Sequence, residues 1–146
     1  MKPAADMHDA LPAFLYNEPM EINVAVRKTK STGRGVFALR DINKGEVIER
    51  CPVLILSAKD RASIDTTRLY DYYFWWGKYK KQAAIAFGYG SLYNHSYEPN
   101  VVYIRDFKKQ LLIFKALRNI DKNEQLLVNY NGSPSDRSTL WFRTRA

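Results

Sequence analysis

The chain is 146 residues long, 46% apolar and 26% charged, which fits one compact domain with a real core and leaves little room for a second. The composition is not that of a disordered chain, no apolar run is long enough to cross a bilayer, and a single cysteine, Cys51, excludes an internal disulfide or a cysteine-built zinc site within one chain. Net charge is +8, with basic clusters at Arg27-Lys28-Lys30, Lys78-Lys80-Lys81 and Lys108-Lys109; such charge attracts nucleic acid or acidic protein surfaces without choosing among them, and lysines near turns are often merely solvated.

In chain order, the first twenty residues carry acids and prolines where a secretory peptide needs a basic end and an apolar run, so 1–20 is expected to be a flexible arm. Ile22, Val24 and Val26 alternate with polar or small residues, the period of a half-buried strand, before the turn signal Ser31-Thr32-Gly33. A second strand is expected over Val36 to Leu39 and a third over Glu46 to Leu56, where Pro52 argues for an edge or a bulge. Ser57 to Thr67 reads as a loop with a helical turn at most. Tyr70 to Trp76 is the densest aromatic stretch: with Lys78, Lys80 and Lys81 it could be an exposed stacking platform for bases, whereas the area those rings bury favours core or the wall of a channel. Gly77-Lys78 then marks a hairpin turn, Ala83 to Phe87 a short strand, Val101 to Ile104 with Leu111 to Leu117 a hairpin, and Leu126 to Tyr130 a last strand. Ser135 and Asp136 are helix-start candidates in the tail, and Trp141 and Phe142 an apolar anchor. Many short strands and few helices indicate a mostly β fold.

The stretch Gly88 to Asn100, GYGSLYNHSYEPN, crowds backbone-binding side chains and a proline into one turn, suited to holding a polar ligand as well as to a plain surface turn. Upstream stands Gly33-Arg34-Gly35-Val36-Phe37-Ala38 and downstream Glu124-Gln125-Leu126-Leu127-Val128-Asn129-Tyr130. In that order, with NHSxxPN between them, the three segments resemble the SET-domain protein lysine methyltransferases over about Glu21 to Gly132. The resemblance implies a β-clip fold of small curved sheets, a C-terminal strand threaded beneath an earlier loop as a pseudoknot, a short C-terminal helix, and a lid over 133–146. Threading gives a reason for His95 and both Asn94 and Asn100: short polar side chains can bond crossing backbones that would otherwise be buried unpaired.

S-adenosyl-L-methionine is the implied methyl donor. By the same resemblance Gly33, Arg34 and Gly35 cradle its methionine end, Phe37 next to that loop also binds the donor, Asn94 bonds the methionine part, His95 offers its main chain to the adenine, Tyr130 borders the donor, and Trp141 closes over it. Tyr130 matches the terminal catalytic tyrosine, and Tyr103 is placed as a second wall; no metal is implied. The chemistry can be argued independently: methyl transfer to an amine needs a neutral nucleophile, and free lysine is only about one part in a few thousand neutral at pH 7. A desolvated slot beside a cationic sulfonium disfavours the ammonium, and tyrosine rings can wall such a slot while a hydroxyl orients the amine. Val128, two places before Tyr130, stands where the family often places a product-limiting aromatic, so the slot is expected to be roomy.

Departures are visible at the C-terminal edge: Asn131 follows the tyrosine where the family usually has glycine, Tyr97 stands where cysteine is common, and no cysteine-rich zinc segment can follow. The reading is methylation of a lysine on a protein, with a histone as the family default, an intracellular place in the cytoplasm or on chromatin, no membrane, and a monomer or homodimer. Asp60, Asp65, Asp71 and Glu98 are candidates for the acidic groove a basic tail needs. A SET-fold peptide-binding module without turnover and a basic nucleic-acid-binding β domain are the rivals.

Overall fold

The computed structural model describes residues 21–140, so the expected arm over 1–20 and both Trp141 and Phe142 lie outside the described residues. The expected first hairpin is present as β1 (Val24–Lys28) and β2 (Arg34–Ala38), paired antiparallel and closed by the Thr29 N–H donating to the Gly33 carbonyl at 2.7 Å. Ile22 falls outside the strand and is exposed. Val24, Val36 and Ala38 turn into the core, so the alternating pattern holds where it meets apolar neighbours.

Seven further strands follow: β3 (Val47–Leu56), β4 (Tyr73–Trp76), β5 (Gln82–Ala86), β6 (Asn94–His95), β7 (Val101–Asp106), β8 (Leu111–Ala116) and β9 (Gln125–Val128). They form a four-stranded sheet in the order β1-β2-β9-β6 and a five-stranded sheet in the order β4-β5-β3-β8-β7. β3 is therefore central, where Pro52 had suggested an edge or a bulge. The proline is tolerated because its strand changes partner there: residues 47–52 pair with β8 and residues 53–56 with β5, while the Pro52 carbonyl still accepts the Phe87 N–H at 2.9 Å. A register shift does occur, nearer the strand's start, between Val47 and Glu49.

Two expectations on helices need correcting. Residues Ala58–Ile64 form a helix, α1, and not a loop. Its start is a capping box in which the Ser57 hydroxyl accepts the Asp60 N–H and the Asp60 carboxylate accepts the Ser57 N–H. The C-terminal helix expected from Ser135 and Asp136 is absent among the described residues: 133–140 is turn and irregular chain. The Asp136 carboxylate accepts the Ser138 N–H at 2.8 Å, and this local bond competes with a helical one.

The expected crossing at the C-terminal strand is visible in its hydrogen bonds. β9 runs parallel to β6 and antiparallel to β2, and the loop after β6 folds over it. Ser96 N–H donates to the Val128 carbonyl at 2.9 Å and Asn100 N–H to the Leu127 carbonyl at 3.2 Å. Asn100, 1% exposed, accepts the Leu127 N–H on its side-chain oxygen at 2.7 Å and donates its amide to the Gln125 carbonyl at 2.8 Å. Backbone groups of β9 that its two-residue ladder with β6 leaves unpaired are thus satisfied by one buried side chain.

Candidate active site

The turn before β2 and the loop before β6 build one wall of a groove of about 520 Å³, lined by Thr32, Gly33, Arg34, Leu92, Asn94 and others. Gly33 has φ +79°, and a Cβ there would meet nothing within 4 Å, so its backbone is open to the groove. Gly35 is glycine for another reason: a Cβ would lie 2.4 Å from the Gln125 amide and 2.8 Å from the Asn94 amide. That amide of Asn94 donates to the Thr32 hydroxyl and the Arg34 carbonyl, both at 2.9 Å, which fixes the turn against the β6 loop. Asn94 thus spends its donors on protein, and its side-chain oxygen accepts no hydrogen bond from a described residue.

Adjoining it is a smaller slot of about 60 Å³, walled by Tyr70, Tyr72, Tyr73, Phe74, Trp75, Tyr93, Tyr103, Arg105 and Tyr130. The aromatic stretch is thus a channel wall, with Phe74 edge-on to Tyr103 at 5.0 Å. Asp71, Tyr72, Ser91 and Tyr130 line both the slot and the groove, and these four stand where the two spaces meet.

Tyr130 follows β9 and its hydroxyl donates to the Tyr93 carbonyl at 2.7 Å. Burial, reinforced by Tyr72 and Asp71, pushes its phenol up to about 12, so at neutral pH it keeps its proton. The Tyr103 hydroxyl donates to the Tyr130 carbonyl at 3.2 Å; burial raises its phenol too, with the neighbouring Arg105 cation offsetting part of that. Tyr93 is held by a buried acid, Glu49, which accepts its hydroxyl at 3.1 Å and the Tyr89 N–H at 2.7 Å.

His95 acts on the strand crossing. Its Nδ1 accepts the Tyr130 N–H at 3.1 Å, its ring lies edge-on to Tyr97 at 4.5 Å, and burial lowers its pKa. Its side chain lines neither cavity. Phe37 also lines neither; the Arg27 guanidinium sits 5.7 Å from its ring centre. Val128 is buried in the core and away from the slot. Trp141 lies outside the described residues. Of the four proposed acids only Asp71 reaches the cavities: Asp60 caps α1, Asp65 accepts the Tyr73 hydroxyl at 2.8 Å, and Glu98 pairs with Arg137 at 2.8 Å. Sequence reasoning passed over Tyr72, Ser91, Arg105 and Glu49 as site residues; the aromatic density around Tyr72 and the place of Ser91 within the Gly88 to Asn100 stretch were signals, and Arg105 and Glu49 had none.

Hydrogen bonds dock the chain's 131–138 segment. The Tyr97 hydroxyl and the Asn131 amide donate to the Ser138 carbonyl at 3.1 and 2.7 Å, and Arg137 donates to the Tyr97 carbonyl and to Glu98. Among the described residues there is no cluster of three or more potential metal ligands, and no helix is long and apolar enough to cross a membrane.

A groove with an open glycine turn, a separate aromatic slot and a buried tyrosine at their junction, all built around a strand passing under an NHSxxPN loop, define a SET-type lysine methyltransferase. The chain belongs to the SET domain family, which matches residues 33–131, and it is a protein-lysine N-methyltransferase. It is 35% identical over 133 residues, 90% of this chain and 82% of the relative, to the histone-lysine N-methyltransferase, H3 lysine-37 specific, of Schizosaccharomyces pombe. The H3 lysine-9 specific histone-lysine N-methyltransferase of Cryptococcus neoformans is 36% identical over 67 residues, 40% of this chain and 4% of that protein. A candidate histone methyltransferase of Plasmodium falciparum superposes with TM-score 0.61 at 31% identity, covering 78% of this chain and 97% of its own. The fold is also shared with a chain of Chaetomium thermophilum polycomb repressive complex 2, at TM-score 0.64 and 20% identity over 73% of this chain and 14% of that one. Members of the family generally use S-adenosyl-L-methionine.

Proposed function

We propose that this chain methylates a lysine on a histone, with the donor in the groove beside Gly33 and Asn94 and the lysine in the aromatic slot. The observation that carries this reading is the shared wall: the groove and the slot have Asp71, Tyr72, Ser91 and Tyr130 in common. The relatives' specificity for histone H3 supports the substrate class and a place on chromatin.

The groove suits the donor on two counts. Gly33 leaves backbone uncovered for a close approach, and the Asn94 side-chain oxygen is an acceptor fit for an α-amino group. Gly33, Arg34 and Asn94 would hold the methionine end and the His95 main chain the adenine. Gly35 packs the turn against Asn94, and Phe37 supports the hairpin from outside the groove. When bound, the donor supplies an electrophilic methyl on a sulfonium.

The chain's own residues supply position and dryness. Tyrosine rings strip water from the lysine stem, which disfavours the ammonium and leaves a lone pair. Tyr130, protonated and tied to the Tyr93 carbonyl, presents a fixed hydroxyl oxygen at the junction, and Tyr103 braces the Tyr130 backbone from the slot side. The 131–138 segment is docked on Tyr97 and Glu98 with Gly132 beside Tyr103, and would lead into the lid.

Calorimetry with the demethylated donor, paired with radiolabelled methyl transfer to free histone H3, tests the reading. Saturable heat and a raised melting temperature are expected, since a ligand that binds only the folded chain must stabilise it. Binding without transfer would leave the non-catalytic module standing, and no binding at all would remove the reading.

A further inference from the structure

Two basic runs far apart in the chain meet at one end of the larger sheet. Its outer strands, β4 and β7, have no backbone ladder between them, yet their side chains close the seam. Phe74 lies against Tyr103 at 5.0 Å, Arg105 Nε donates to the Trp75 carbonyl at 2.8 Å, and Trp76 packs edge-on to Phe107 at 4.9 Å. The partners advance together along both strands, so β4 and β7 run in the same direction. The turns that follow, 77–81 and 107–110, therefore emerge side by side and carry Lys78, Lys80, Lys81, Lys108 and Lys109, all exposed.

The first turn is held in place. Arg61 donates to the carbonyls of Lys80 and Lys81 at 3.2 and 3.0 Å while its guanidinium covers the Trp75 ring at 4.3 Å. Tyr79 stands out between the lysines, 73% exposed, with the Lys78 ammonium 5.4 Å from its ring centre. Two acids lie near: Asp106 accepts the Lys109 N–H at 2.9 Å, and Asp136 lies close enough to Lys80 to feel its charge. Trp75 and Arg105 line the slot, and Lys78 and Lys108 each follow by three residues, roughly 10 Å of extended chain. That is about one Debye length at physiological salt.

We propose that this lysine-bearing end docks on the phosphate backbone of duplex DNA lying beside the tail whose lysine enters the slot. The choice of DNA rests on the histone reading above; the charge does not. None of the five cations is an arginine, so none offers the planar fork that picks out a carboxylate, and point charges spread over two turns suit a uniform row of phosphates better than one acidic peptide. Of the two exposed rings here, Phe107 is packed edge-on against Trp76 and Tyr79 alone stands clear, too little for a single strand, whose bases need successive stacking partners.

The full chain is titrated against a fluorescent 30-base-pair duplex by anisotropy over a range of salt. Counterion release at five lysines gives a log affinity to log salt slope of roughly −4. The triple variant Lys78→Glu, Lys80→Glu, Lys108→Glu should lose at least tenfold in affinity and flatten that slope. Lys28→Glu, Lys44→Glu, Lys122→Glu, an equal charge change on exposed lysines elsewhere, should stay within about threefold of wild type. Melting curves check folding, and lysine-to-glutamine versions carry the same comparison if charge reversal unfolds the chain. Equal losses in the two triple variants, or displacement of DNA by a polyglutamate of matched charge acting through the same lysines, would overturn the proposal. Methylation of free histone H3 is followed in parallel: DNA binding through these turns without methyl transfer would fail the histone reading and leave the docking surface standing.

Discussion

The groove side and the slot side of the site are built in different ways. Around β9, polar side chains satisfy buried backbone: Asn100 holds Leu127 and Gln125, His95 holds Tyr130, and Asn94 holds the Arg34 turn. Across the slot, residues 68–76 contribute rings, with Tyr70, Tyr72 and Trp75 each 37–41% exposed. Few side chains can capture a crossing strand, whereas many arrangements of rings can wall a channel. The first region is consequently confined to a short recognisable motif, and the second has none. Substitutions should separate the two: those around β9 should act on folding, and those at the slot on substrate.

The largest effect is expected at Asn100→Ala. It removes the partner of the Leu127 N–H and of the Gln125 carbonyl, both on half-buried residues, at up to about 1–3 kcal/mol for each group. Against a total stability of about 5–15 kcal/mol this should move the urea midpoint far to the left. A loss below about 1 kcal/mol would show that the crossing is held by packing alone.

Tyr130→Phe joins the two regions, since it removes one hydroxyl at their junction. Turnover should fall about a hundredfold, as for a positioned catalytic group, while affinity for the demethylated donor stays within a few fold. Losing the bond to the Tyr93 carbonyl should cost stability on the order of 1 kcal/mol. Unchanged turnover would make Tyr130 a core residue.

How much could be read in the sequence follows the same division. The three motif segments, the hairpins and the captured strand were legible because glycine turns, period-two alternation and NHSxxPN act locally. Helix α1 was missed although Ser57 and Asp60 stand at capping-box spacing, because no apolar stripe accompanied them: α1 has no buried residue. The tail helix was expected from Ser135 and Asp136 as starters, but Asp136 turned its carboxylate to Ser138. Asp71, Ser91 and Arg105 come together only through the curl of the five-stranded sheet, and no spacing along the chain announces that.

A smaller, purely electrostatic effect is expected at the slot. Asp71 is the one carboxylate among the described residues lining the two cavities, and it can attract a lysine ammonium before the rings desolvate it. For an exposed site a single charge at contact is worth about 1 kcal/mol, so Asp71→Asn should raise KM for a lysine peptide roughly fivefold. The effect should shrink at 0.5 M salt and leave kcat nearly unchanged. A matching fall in kcat would mean that Asp71 acts in the transfer itself, through its contact with the Tyr130 environment.

The smallest effect concerns His95 and pH. Burial holds its pKa in the folded chain below the usual 6.5, so the unfolded chain takes up a proton that the folded chain resists. The stability associated with a neutral His95 is therefore complete above pH 6.5 and is lost as pH falls from there through the lower folded value. The Nδ1 that would take the proton already accepts the Tyr130 N–H, so protonation also loosens the end of β9. Because the ring is only partly buried, solvent screens much of this, and a change in melting temperature of about 2 °C is the expected scale between pH 7.5 and 5.5. Glu46 and Glu124, held below the usual carboxylate value by Arg40 and Arg118, lose their contribution only at more acidic pH, which keeps this window clear. Thermal melts of wild type and His95→Gln across it are the comparison. The wild-type slope should vanish in the variant, and a slope that survives would place the titrating group elsewhere and leave the hold on Tyr130 indifferent to protonation.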